Sequence, residues 1–455
     1  MSFLDEKYLL SSEVALALYT AIKDLPVIDP HNHADVKEIA ANNNYPNPWQ
    51  LFAATDHYVW EILRKRNVPE EFITGNQDPK VKWMMMAEVF PEIAGNPVYE
   101  WIHLDLKRYL GIDELLGPDT GDSIWDKASE VLARPGHRPQ QLLDHMKIEV
   151  MCSTDDPVDL LEDHVKVNKS MNRTLLRPTW RPDKAMNIFK PGWKEYIDTV
   201  AKRFNMTINS VGDLIEAMRQ SHDYFAARGC LASDHGVEVP FGADVSEADA
   251  DAAFKKALDG KSLSKAEQTA FMSYFFGEVA EFNSQKDWVF QIHIGAVRDV
   301  RDTLYNNLGP DSGGDVARPL LDVFTPLKSF LNRFDDRLKV VLYCLDTTHQ
   351  HLLATMSRAF GGKVNLGSAW WLNDNPIGMK RQLEYIGSVD VLANFAGMVS
   401  DSRKLLSYGS RFEMFRRVLA DALANMVNLG QIPYSVAEKL AERMSYSGPK
   451  KFWGF

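Results

Sequence analysis

The stretch "LPVIDPHNHADVKE", Leu25 to Glu38, carries a short apolar run, Val27-Ile28, straight into His31, Asn32 and His33. On a strand, residues i and i+2 point to the same side, so both imidazoles would project from one strand end. Two neutral imidazoles on one side are half of a zinc or similar divalent site. A pair of hydrogen-bonded loop histidines would give the same pattern.

Seven further runs share this form, apolar at first and ending in chemically capable side chains. They are "KIEVMCSTDDP" (147–157), "RTLLRPTWRPDK" (173–184), "GCLASDHG" (229–236), "WVFQIHIGAVR" (288–298), "LKVVLYCLDTT" (338–348), "KVNLGSAWWLND" (363–374) and "VLANFAGMVSDSR" (391–403). Segments of helical length lie between them. Strands alternating with helices imply an α/β fold with a parallel sheet. Eight such units predict a (β/α)8 TIM barrel, whose functional groups gather at the C-terminal ends of the strands. Those ends hold His31/His33, Asp155/Asp156, Arg181, Asp234/His235, His293/Arg298, Asp346, Trp370/Trp371/Asp374 and Asp401/Arg403. Turn chemistry accounts for aspartates there, but arginine, histidine and tryptophan are not typical turn residues. The spacing predicts one domain over residues 1–455, with a large, mostly helical cap inserted over 43–145 between the first two strands.

The composition suits a globular protein of this size. Of 455 residues, 45% are hydrophobic and 25% charged, and the net charge is −11. A negative surface repels phosphate backbones, so no nucleic-acid partner is expected. No run is long and apolar enough for a membrane span. The N-terminus reads as a capped amphipathic helix and not a signal peptide. Cys152, Cys230 and Cys344 form no C-x-x-C pair and no disulfide framework, which fits a reducing cytoplasm.

In a closed barrel the eighth strand lies against the first, about 4.8 Å away. Asp401 in "MVSDSR" would then sit beside His31 and His33 and complete a three-ligand site with open positions. The alternative for Asp401 is a helix N-cap. His293 in "QIHIGA" is open between ligand, substrate contact and core residue. Arg181, Arg298 and Arg403 would converge on the same mouth, where arginine recognises carboxylate or phosphate bidentately; a salt-bridged scaffold role is the alternative for any one of them. There is no Gly-rich phosphate loop, so an anionic substrate with a carboxylate is preferred. His57 and Tyr58 in "TDHYVW" could be an acid–base pair delivered by the cap, or helix-packing residues. Trp370 and Trp371 could line a sugar site, or be core.

Taken in order, "DPHNH", "DHYVW" with "RKRNVPEEFITG", "STDDP", "RPDK", "SDHG", "HIGAVR", "LGSAWWLNDNPIGMKRQLEYI" and "GMVSDSRKLLSYGSRFEMFRR" span nearly the whole chain. With them the sequence resembles the uronate (glucuronate) isomerase family of the amidohydrolase superfamily. The resemblance implies a barrel of amidohydrolase type. It implies interconversion of D-glucuronate with D-fructuronate and of D-galacturonate with D-tagaturonate, in hexuronate catabolism. It implies one divalent metal, with zinc the expected ion, on His31, His33 and Asp401. Substrate contacts are implied for His57, Tyr58, Arg181, His293 and Arg403. The chemistry is an aldose–ketose shift through an enediolate, which needs a base, a returning acid and positive charge near the oxyanion. The expected roles are Asp401 as base toward C2, Arg403 as stabiliser, Tyr58 or His57 as proton shuttle, and Arg181 or Arg298 on the C6 carboxylate. Trp370 and Trp371 would complete the substrate site. Two positions depart from the family pattern: Asn32 stands where cysteine is frequent, and Phe412 follows Arg411 where histidine is frequent. The family lacks the full two-metal set of the hydrolases, and "VVLYCLD" indeed ends without a histidine. The alternative reading is another metal-dependent enzyme of the superfamily, a lactone or amide hydrolase or a decarboxylase of an acidic substrate. A silent scaffold is a third. Self-association into a homo-oligomer is left open.

Overall fold

The computed structural model describes residues 3–455, and its centre is two parallel sheets. The first joins β1 (Val27–Asp29), β2 (Ile148–Cys152) and β3 (Leu175–Arg177). Two further strands, β4 (Ala232–Val237) and β5 (Val289–Ile294), precede a small hairpin. In that hairpin β6 (Ala296–Val297) pairs antiparallel with β7 (Val316–Ala317). The second parallel sheet runs β4, β5, β8 (Lys339–Cys344) and β9 (Val364–Leu366). Trp180 links the two sheets: its N–H donates to Ala232 O and its carbonyl accepts from Asp234 N–H.

These strands are buried on both faces, so most of them read as short hydrophobic runs, while β4 and β5 also bury Ser233, Asp234, His235, Gln291 and His293. Alternation sorts the side chains. Phe290, Ile292 and Ile294, with Val340 and Leu342, join the large cluster packed on the helices. Val289, Val341 and Tyr343 join a separate inner cluster with Trp370, Trp371, Val399 and Trp453. The C-terminal Phe455 packs against both that inner cluster and the one formed by Ile28, Val150 and Cys152.

Seven of the eight expected strands are present. The eighth, expected over 391–403, is not a strand: Leu392–Asn394 is a 3-10 turn and the rest is irregular. The physical reason lies in its hydrogen bonds. Ala396 N–H donates to Leu366 O and Asp401 N–H to His31 O, as a ladder would. Between them, Val399 N–H goes to Ser368 Oγ and Ser400 N–H to Asp29 Oδ1, so side chains replace the ladder. Gly397 at φ +109° and Asp401 at φ +47° bend the chain out of extended geometry. At Gly397 any Cβ would lie 2.8 Å from the Pro449 ring.

Between β1 and β2 the described elements are helical. Several of these helices start alike, with an Asn or Asp N-cap followed by proline: Asn47-Pro48, Asp78-Pro79 and Asn96-Pro97. The cap accepts a free N–H and the proline occupies a position that needs none. The helix His57–Lys65 is capped by Asp56, whose side chain accepts from Tyr58 N–H. No described helix is long and apolar enough to cross a membrane. All three cysteines are free and buried.

Candidate active site

His31 and His33 leave the end of β1, and the irregular segment beside it brings in Asp401 from the far end of the chain. Asp401 Oδ1 lies 3.1 Å from His31 Nε2 and 3.1 Å from His33 Nε2. Burial opposes charge on Asp401, yet the two imidazoles hold its carboxyl well below the usual range. Asp401 caps no helix, since the next one begins at Ser407 after Leu406. Two imidazole nitrogens and a carboxylate oxygen are a borderline donor set suited to zinc and its neighbours. Ligands about 2.0–2.1 Å from a tetrahedral ion stand about 3.3 Å apart, close to the observed spacing. The donors therefore fit a divalent metal.

A second convergence lies one layer deeper, with His31, Asp234 and His293 all buried. His293 Nδ1 is 2.6 Å from Asp234 Oδ1, and its ring stacks on Tyr343 and flanks His31. Burial lowers the His293 pKa to about 4, so it is neutral. Its Nε2, like His31 Nδ1, is buried without a hydrogen-bond partner. Arg181 Nη1 sits 3.0 Å from Asp234 Oδ2, so a cation there would compete with a guanidinium. The His31/His33/Asp401 set has no such competitor.

The three arginines do reach the strand ends, and each already has an acid partner. Arg181 also donates to Asp183, Arg298 pairs with Asp315 and lies over the Trp371 ring, and Arg403 pairs with Asp311. Arg403 Nη1 donates to His57 Nε2 at 3.2 Å. Burial, then Arg403, lowers the His57 pKa, and because a guanidinium can only donate, Nε2 is the acceptor and the ring proton lies on Nδ1. Tyr58 Oη donates to Asp374 at 2.6 Å and accepts from Leu372 N–H. Trp370 and Trp371 are buried, and Trp370 Nε1–H donates to Asp401 Oδ2 at 2.8 Å. A cavity of about 340 Å³ opens beside this group, lined by His33, Thr55, Trp60, Thr154 and Arg403 among others.

Three features escaped the sequence reading. Asp234 stood at a strand end but was given no role; its link to His293, Arg181 and His31 is visible only in three dimensions. The Arg411–Asp374 pair is buried, with Nη1 donating to Asp374 Oδ2 at 2.9 Å and to Ser400 O. Nothing in the spacing of Arg411 within "GSRFEMFRR" points to Asp374. The Trp370–Asp401 bond has no local signal. Asn32, one of the departures, bonds Asp29 and receives Ala34 N–H, so it braces the strand end. Phe412 is core.

A half-buried N,N,O cluster beyond the ends of parallel strands, with ion-paired arginines around it, defines an α/β protein with a candidate divalent-metal site at the sheet's C-terminal edge. The sequence model of the glucuronate isomerase family matches residues 1–453, and the chain belongs to that family. The uronate isomerase of Thermotoga sp. (strain RQ2) is 46% identical over 451 residues, 99% of each chain. The crystal structure of uronate isomerase from Thermotoga maritima superposes with TM-score 0.98 at 45% identity, covering 100% of both chains. Glucuronate isomerase from Caulobacter crescentus gives TM-score 0.94 at 27% identity, covering 99% of this chain and 97% of that one.

Proposed function

We propose that the chain is a uronate isomerase that interconverts D-glucuronate with D-fructuronate and D-galacturonate with D-tagaturonate. The observation that carries the reading is Asp401 Oδ1 at 3.1 Å from both imidazoles, in a chain that matches the family end to end. His31, His33 and Asp401 would hold one divalent ion, for which zinc suits the donors; when bound, it supplies a Lewis acid for substrate oxygens. The Asp401 carboxylate, kept ionised by His31 and His33, accepts the C2 proton of the open-chain sugar acid and returns it at C1. Trp370 N–H holds the other carboxylate oxygen, which fixes the direction of the accepting lone pair. The Arg403 guanidinium carries positive charge to the enediolate oxygens. His57, neutral with Nδ1–H, and Tyr58 exchange protons at O1 and O2. Arg181 or Arg298 receives the C6 carboxylate, sharing its donors with the acids that pair it.

The two parallel sheets and the 395–403 segment are taken as the wall of one (β/α)8 barrel, with 43–145 as its cap. Trp180 on one side and the Leu366–Ala396 and His31–Asp401 bonds on the other support that closure. Three free buried cysteines suit a cytoplasmic setting.

The test is to strip and reconstitute the protein with zinc, manganese or iron, add D-glucuronate, and follow ketose formation. Ketose formed by the reconstituted protein is the expected result. Hydrolysis of an acidic lactone or amide without ketose would replace this reading with the hydrolase one. In D2O, solvent deuterium at C1 of the ketose supports proton transfer through Asp401 over an internal hydride shift.

A further inference from the structure

The excursion after β5 is closed at its base by the β6–β7 hairpin, by Val300 N–H on Gly314 O and by Arg318 N–H on Gly295 O. Its tip lies on the helix that carries His57. On that helix His57, Glu61 and Arg64 are i, i+4 and i+7, one face. Glu61 Oε1 accepts Gly314 N–H at 2.7 Å, and Arg64 Nη1 donates to Ser312 O at 2.6 Å. Arg64 is itself held by two bonds to Glu70. Gly313, at φ +86°, lets the backbone approach: a Cβ there would come to 3.1 Å of both Arg64 Nη1 and Glu61 Oε1. Asp311 is therefore placed relative to His57 by the helix of His57 itself. Its own φ is +62°, in the left-handed region, and both carboxylate oxygens lie 2.8 Å from Arg403 Nη2. Arg403 Nη1 then donates to His57 Nε2. The contacts form a closed circuit: helix face, residues 312–314, Asp311, Arg403, and back to His57.

We propose that Asp311 is a positioning residue for the Arg403–His57 pair. It fixes the rotation of the guanidinium, and the fixed donor at Nε2 keeps the His57 proton on Nδ1. Half-exposed ion pairs contribute little to stability, so removing this one should spare the fold and loosen the geometry. Its catalytic consequence rests on the isomerase reading; the positioning itself does not.

The test uses the full chain labelled with 15N-histidine, the His57 signals being those lost in His57→Gln. The wild type should show a protonated Nδ1 and a hydrogen-bonded, unprotonated Nε2. In Asp311→Asn both shifts should move toward the average of the two tautomers. In uronate turnover Asp311→Asn should lower kcat about 10- to 100-fold, with KM within about threefold. In a His57→Gln background the same change should cost less than about threefold, because the interaction is already gone. An unchanged His57 spectrum in Asp311→Asn would overturn the proposal, as would an equal cost in both backgrounds. If the spectrum shifts but the wild type turns over no uronate, the isomerase reading fails and the positioning stands.

Discussion

Substituting Asp374 by asparagine removes one charge from a pair whose side chains are 3% and 2% exposed. Arg411 would keep Ser400 O as a partner, and its guanidinium would still lie 4.2 Å from the Trp101 ring and 5.1 Å from that of Tyr58. Neither supplies a counter-charge. Burial already pushes the Asp374 carboxyl up from its ordinary value, with Arg411 and Tyr58 drawing it back, so the pair holds its charges against desolvation. Breaking a buried pair from one side costs about 3–5 kcal/mol, and the aromatic faces put this case near ~3 kcal/mol. Replacing both partners, Asp374→Leu with Arg411→Met, should recover most of that loss, because no charge is left unpaired. Turnover should fall in both proteins, since Tyr58 Oη loses its acceptor in the double variant and its charged acceptor in the single one. The assay is equilibrium urea unfolding followed by tryptophan fluorescence, with the stability change taken from the midpoint shift. A single variant within ~1 kcal/mol of wild type, or a double variant no more stable than the single, would refute the reasoning.

Trp453 is buried with Nε1–H on Ala396 O, so Trp453→Ala should cost about 3–5 kcal/mol in the same unfolding assay; a loss under ~1 kcal/mol would mean its packing in the inner cluster is dispensable. His103 and His222 are buried, and burial lowers their pKa values to about 4 and about 3. In the unfolded chain they titrate near 6.5, so their contribution is complete above that pH. It is lost as pH falls toward 3–4, at about 1.4 kcal/mol per pH unit for each. His222→Phe should flatten the fall in unfolding midpoint between pH 6.5 and 5, and an unaltered slope would contradict the burial argument. Chelation should abolish turnover and divalent ion should restore it, with metal binding followed by titration; a His33→Ala variant that binds metal as tightly as wild type would remove His33 from the ligand set.

The strands were legible in the sequence because they are buried on both faces and need no partner to be recognised. His31 and His33 were legible because they follow such a run directly, two residues apart just past the end of β1. Asp401 became a candidate only through barrel geometry, and the expected neighbour is there although the eighth strand is not. That strand failed because Ser368 Oγ and Asp29 Oδ1 replace backbone acceptors, an exchange between distant positions. The arginines were legible as a convergent set, but Asp183, Asp311 and Asp315, which pair them, were not. Their contacts depend on loop paths, and Asp311 looks like any turn aspartate until its φ of +62° is seen. The Arg411–Asp374 pair was invisible because helix periodicity says which face is buried, not which charge lies opposite.

The central claim is that Asp401 is the base beside the His31/His33 centre. The most direct measurement is kcat for D-glucuronate with purified, metal-reconstituted Asp401→Asn, its fold confirmed by circular dichroism. The account predicts a fall of about 10²- to 10⁴-fold relative to wild type. Near-wild-type turnover in a folded Asp401→Asn protein would contradict it.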